Sequence, residues 1–175
     1  MITGDFTTAA PGPESFVPPE KGSRPLIALT VATVFGVGYV PFAPGTFGSA
    51  AGLLLWLALP QSAGASAAAI VLLFAAGSWS GSVAERHFRA TDPGPVVIDE
   101  VMGMLATLFM NPVGWAGATG AFLLFRIFDI IKPYPADRLE RLPGGVGVMA
   151  DDLMAALYAN IALRGMLAVS SRVVG

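Results

Sequence analysis

Sixty consecutive residues, Pro25 to Ala84, contain no Asp, Glu, Lys or Arg. A stretch that long without charge cannot form an ordinary wet surface and has to be buried in protein or in lipid. The charges gather elsewhere: of the 22 in the chain, six fall within 85–100 and nine within 126–152. Such a distribution reads as a membrane-embedded scaffold holding a polar, metal-dependent site.

Composition narrows the function classes. Charged residues make up 13% of the chain, about half the soluble norm of roughly 25%, and mean hydropathy is +0.68. A net charge of −2 offers no basic field, so nucleic acid is not an expected partner. With no cysteine, disulfides, thiolate zinc sites and cysteine-nucleophile phosphatase chemistry are excluded. Residues 1–24, with Pro11, Pro13, Pro18 and Pro19 and no apolar run, are expected to be a disordered tail. Residues 25–175 are expected to form a single helical domain.

Pro41, Pro44 and Gly45 interrupt the uncharged block and leave apolar segments at about 26–40, 48–59 and 64–84. Only the third has the roughly 20 helical residues that a bilayer crossing needs. An apolar hairpin, 101–111 and 114–128, breaks at Asn111-Pro112, and its arms suit a re-entrant or buried pair better than two spans. A last helix is expected to start near Asp151 and run to about Val169. The fold class is therefore all-α, a multihelical bundle with short, broken or re-entrant helices. Arg86 and Arg89 in one connection, and Arg126, Lys132, Arg138 and Arg141 in another, place both on the cytoplasmic side.

Four constellations are able to carry chemistry. Asp99 and Glu100 stand together where an apolar helix begins; one acid suffices to complement the helix dipole, so two point to a hard cation such as Mg²⁺. Arg126, Asp129 and Lys132, spaced i, i+3, i+6, fall along one helix stripe amid Phe125, Ile127, Phe128, Ile130 and Ile131. Two cations flanking a carboxylate suit a phosphomonoester, whereas a salt-bridge ladder would gain little on a wet surface. Gly144-Gly145-Val146-Gly147 leads to Asp151 and Asp152; Asp151 is a suitable N-cap, leaving Asp152 as the preferred metal ligand. Ala43-Pro44-Gly45-Thr46-Phe47-Gly48-Ser49 offers backbone N–H groups and hydroxyls to phosphate oxygens, with Ser49 as an alternative helix cap. His87, the single histidine, is expected to be exposed and has no catalytic neighbours in sequence.

Together these stretches resemble the phosphatidylglycerophosphatase A family: Ala43–Ser49, Val97–Val101 with Gly103, Phe125–Asp129 with Lys132-Pro133, and Gly144–Asp152, in the family's order and spacing from about residue 35 to 160. The resemblance implies a Mg²⁺-dependent enzyme of the bacterial inner membrane that hydrolyses the lipid phosphatidylglycerophosphate to phosphatidylglycerol and phosphate. It places metal ligands among Asp99, Glu100, Asp129, Asp151 and Asp152, and catalytic roles on Asp129, Arg126 and Lys132. Gly45, Thr46 and Ser49 are the expected substrate contacts, with Arg138 standing in for an arginine that the family carries one position earlier. Two rivals differ in what they require. The CDP-alcohol phosphatidyltransferases need an Asp-Gly…Ala-Arg…Gly…Asp…Asp pattern that is absent here. A small transporter using intramembrane carboxylates would release no phosphate. A phosphatase of another lipid phosphate is the nearer alternative.

Overall fold

The structure, a computed structural model, describes residues 23–174. Apart from Ser23 and Arg24, the tail expected over 1–24 lies outside the described residues. Among the described residues, seven α-helices and one short 3₁₀ turn follow in order: α1 (Ser23–Ala32), the turn Val37–Tyr39, α2 (Pro44–Ala58), α3 (Ala63–Phe88), α4 (Ile98–Leu108), α5 (Trp115–Ile131), α6 (Ala136–Leu139) and α7 (Gly145–Val174). There is no strand among the described residues, so the all-α expectation holds.

α4 is the centre of the bundle. Nine of its 11 residues are buried, and α2, α3, α5 and α7 all pack against it. At roughly 16 Å it is far too short for a hydrocarbon core of about 30 Å. The long elements are α3 and α7. Each is apolar and long enough to cross a membrane, and only 22% and 28% of their most apolar windows are buried in the bundle. A core helix of a water-soluble protein would hide most of that surface; these two leave it facing outward, as a lipid-facing helix does. Two apolar clusters surround α4. One joins Leu29, Ala84, Val96, Ile98, Met102 and Met149, and the other joins Met104, Leu108, Phe125, Ala156 and Leu163.

Several boundaries differ from the sequence expectation. The segment 26–40 is not one helix, because Val34, Phe35 and Gly36 take positive φ and end α1 at Ala32. α2 begins at Pro44, four residues earlier than expected, since proline is well suited to a first helical position. α7 begins at Gly145 and not near Asp151, so Asp151 lies in its second turn and is no N-cap. Of the glycines read as a loop, Gly145 and Gly147 are instead in the first turn, with Gly145 pressed against α3. A Cβ on Gly145 would stand 2.5 Å from Ser78 O and 2.7 Å from Ser82 N. Ser82 Oγ accepts the Gly145 N–H at 2.9 Å and so satisfies one free donor of the helix start.

The opposite end of α4 is finished by α7. Asn160 Nδ2 donates to the carbonyls of Ala106, Thr107 and Phe109. Arg164 donates through Nε to Asn160 Oδ1 and through Nη2 to Phe109 O. The last carbonyls of a helix have no partner within it, so a buried helix end needs such donors.

Candidate active site

α4 opens on Val97, whose N–H is donated to Ala32 O, and no side chain caps the helix. Asp99 and Glu100 are therefore free for another role. Asp152, from the second turn of α7, meets them, and the three residues each bring a carboxylate oxygen within 4.8 Å of the others. Asp99 and Asp152 are buried, and Glu100 is nearly so. Three oxygens of this cluster, Asp99 Oδ1, Glu100 Oε2 and Asp152 Oδ2, are buried without a hydrogen-bond partner. Burial and the neighbouring carboxylates push Asp99 well above the usual range. Burial also lifts Glu100 to about 7, against the lowering effect of its contacts with Asp99 and Arg126.

Three converging carboxylates, each with a buried oxygen that has no hydrogen-bond partner, make an all-oxygen donor set, which suits a hard divalent cation. α5 supplies the rest of the surroundings. Arg126 Nη1 donates to Asp129 Oδ2 at 2.5 Å and lies 3.6 Å from Glu100 Oε1. Its Nε is buried and unpartnered, and Asp129 lies beside Asp152. The start of α2 closes over this group. A Cβ on Gly45 would run into Glu100 Oε1 and stand 2.8 Å from Arg126 Nη1, so glycine lets the backbone approach without displacing the ends of these two side chains.

A second acidic group lies alongside. Lys132 Nζ is 2.6 Å from Asp151 Oδ2, 3.3 Å from Glu140 Oε2 and 3.9 Å from Asp92 Oδ2. Burial pulls the ammonium pKa down, but the hydrogen bond and charge of Asp151, then Asp92 and Glu140, outweigh it and the net shift is upward. Burial raises Asp92, and Lys132 partly offsets the rise. Lys132 does not continue the stripe of Arg126 and Asp129. α5 ends at Ile131 and Lys132 turns into the left-handed region, as expected of a helix that reaches the residue before a proline. Its ammonium is directed to α7 and to the 92 and 140 connections.

The remaining expected residues fall at different depths. Thr46 is half-buried in the first turn of α2, whereas Ser49 is fully buried and donates its hydroxyl to Gly45 O at 2.9 Å. Arg138 is exposed, with its guanidinium 4.9 Å above the Tyr134 ring. His87 is exposed and packs edge-on against Phe88. Sequence reasoning gave no role to Asp92 or Glu140, which reach Lys132 only through the tertiary fold. It also passed over Asn160, whose signal was an amide within an apolar helix.

Comparison with known proteins gives a consistent set of relatives. The family model described as phosphatidylglycerophosphatase A matches residues 30–167. A Bacteroides thetaiotaomicron protein named "Putative phosphatidylinositol-3-phosphatase" is 38% identical over 159 residues, covering 85% of this chain and 96% of that protein. The phosphatidylglycerophosphatase A of Haemophilus influenzae is 38% identical, covering 75% of this chain and 83% of its own length. The Escherichia coli phosphatidylglycerophosphatase A is 33% identical, covering 79% and 81%. No solved structure matches.

Proposed function

Because the chain belongs to the phosphatidylglycerophosphatase A family, and so to a group of membrane lipid phosphatases, we propose that it hydrolyses phosphatidylglycerophosphate to phosphatidylglycerol and phosphate with Mg²⁺. The observation that carries this reading is the trio of unpartnered buried oxygens on Asp99, Glu100 and Asp152. Those three carboxylates hold the ion. When bound, a divalent cation there supplies positive charge to the phosphoryl oxygens and acidifies an attacking water.

The chain's own groups do the rest. Arg126, held by Asp129, presents its guanidinium to the equatorial phosphoryl oxygens, where negative charge is spread during transfer. Asp129 orients that guanidinium and, beside Asp152, is placed to accept a proton from water. Gly45 and Thr46 bring the start of α2 against the headgroup; the Thr46 N–H is donated to Ala43 O, which leaves the Gly45 N–H and the Thr46 hydroxyl for anionic oxygens. Ser49 supports that turn from within, and Arg138 meets the headgroup at the rim. Lys132 acts at one remove: it fixes Asp151 and hence the second turn of α7 on which Asp152 sits. The outward apolar faces of α3 and α7 keep the acyl chains in lipid. The clustered Arg86, Arg89, Arg138 and Arg141 support a site on the cytoplasmic side of a bacterial inner membrane.

The test is inorganic phosphate release from phosphatidylglycerophosphate in mixed micelles, with Mg²⁺ and then with EDTA. Release is expected only with Mg²⁺, and Asp129→Asn is expected to abolish it while helical content is unchanged. No release from a folded sample would overturn the substrate. The name of the Bacteroides relative favours a second substrate, so phosphatidylinositol 3-phosphate belongs in the same assay. Faster release from that lipid would move the assignment to it.

A further inference from the structure

α4 and α7 run parallel and, besides the apolar packing of Met104 and Leu108 with Ala155, Ala156 and Ala159, bring polar side chains together at two levels. At the first, Asp99 faces Asp152, 53 positions apart in the chain (152 − 99). At the second, Asn160 donates to Thr107 O, again 53 positions apart. Eight residues separate the levels on both helices, about 12 Å of rise on each, so the two contacts keep one register. Asn160 is buried, reaches three carbonyls at the end of α4, and is itself held by Arg164 Nε at 2.8 Å. The carboxylate end has no comparable tie, since Asp99 Oδ1, Glu100 Oε2 and Asp152 Oδ2 are buried there without a hydrogen-bond partner.

We infer that Asn160 and Arg164 are positioning residues for the metal-binding carboxylates: by clamping the carbonyl end of α4 to α7, they set the axial register that brings Asp99 and Glu100 opposite Asp152. This rests on the metal reading above. Mg²⁺ and Mn²⁺ need oxygen ligands at closely defined distances, and a slip of one residue displaces one helix by about 1.5 Å along the other. Losing the clamp therefore weakens the ion's site from a distance, without removing a ligand.

The experiment is Mn²⁺ titration of the full-length protein in detergent micelles, read by the free-ion electron paramagnetic resonance signal, with helical content measured on each sample. Asn160→Leu is expected to raise the Mn²⁺ Kd about tenfold, the lower end of the range for groups that orient metal ligands, and Arg164→Met to raise it by a smaller factor. Leu163→Ala, which opens a cavity in the same helix but leaves the clamp intact, is expected to bind Mn²⁺ like the wild type. Equal Mn²⁺ binding by wild type and both clamp variants overturns the inference alone, as does equal weakening by Leu163→Ala. A wild type that binds no Mn²⁺ overturns the metal reading and takes the inference with it. If Asn160→Leu does not fold, Arg164→Met, on an exposed residue, decides the matter.

Discussion

Asp151 and Asp152 are neighbours in sequence, yet they belong to two groups with opposite states of satisfaction. Asp151 joins Asp92 and Glu140 around the ammonium of Lys132, whose cation answers the carboxylates. Asp152 joins Asp99 and Glu100, where buried oxygens face one another and Arg126 is shared with Asp129. A buried charge without a partner costs several kcal/mol or is neutralised by a proton. The first group has resolved that cost internally and behaves as a structural joint between α5, α7 and two connections. The second has left it unresolved at one place, the site proposed above for a divalent cation.

The largest effect expected from breaking this contrast is at the ligands. Asp152→Asn is expected to lower kcat/KM by about 10²–10³-fold or more and to remove Mn²⁺ binding, with helical content unchanged; circular dichroism and metal titration on one sample check both. Gly45→Ala comes next. Its methyl group would displace Glu100 Oε1 or the Arg126 guanidinium, and a displacement of about 1 Å in a site can cost about 10²-fold. A steady-state assay should show the loss in kcat.

Lys132→Met sharpens the contrast from the other side. Removing the cation leaves Asp151 buried and unpaired, which is expected to destabilise the fold by about 3 kcal/mol, the low end for a broken buried pair because Lys132 is a quarter exposed. The double variant Lys132→Met/Asp151→Met is expected to recover most of that loss in a denaturation midpoint, since apolar replacement of both partners is often close to neutral. The smallest effect belongs to Arg138→Ala. An exposed arginine stacked on Tyr134 is expected to change KM by a few-fold through roughly 1 kcal/mol of contact, with kcat unchanged.

Much of this contrast was legible in the sequence because charge is scarce. In a chain with sixty uncharged residues, the pairs Asp99-Glu100 and Asp151-Asp152 and the triplet Arg126, Asp129 and Lys132 mark the polar centre. The all-α class followed from apolar runs with no strand alternation. The partition between the two groups was not legible. It depends on α5 ending at Ile131, two residues before Pro133, which turns Lys132 off the stripe it shares in sequence with Arg126 and Asp129. It also depends on α7 starting at Gly145, which puts Asp151 and Asp152 on a helix turn, facing different neighbours. Glycines that signal a loop locally serve here to let α7 approach α3 closely, a tertiary demand that no local spacing expresses. Asp92, Glu140 and Asn160 have the same explanation, since their partners are distant in sequence.

The most direct measurement compares phosphate release from phosphatidylglycerophosphate, with saturating Mg²⁺, by Asp152→Asn and Asp151→Asn, two variants one residue apart and equal in chemistry. Release by Asp152→Asn is predicted to drop to background, while Asp151→Asn, which keeps an acceptor for Lys132, falls by only about tenfold. Equal loss in both folded proteins, or the reverse order, would contradict the division of the acidic residues into a reacting group and a structural one.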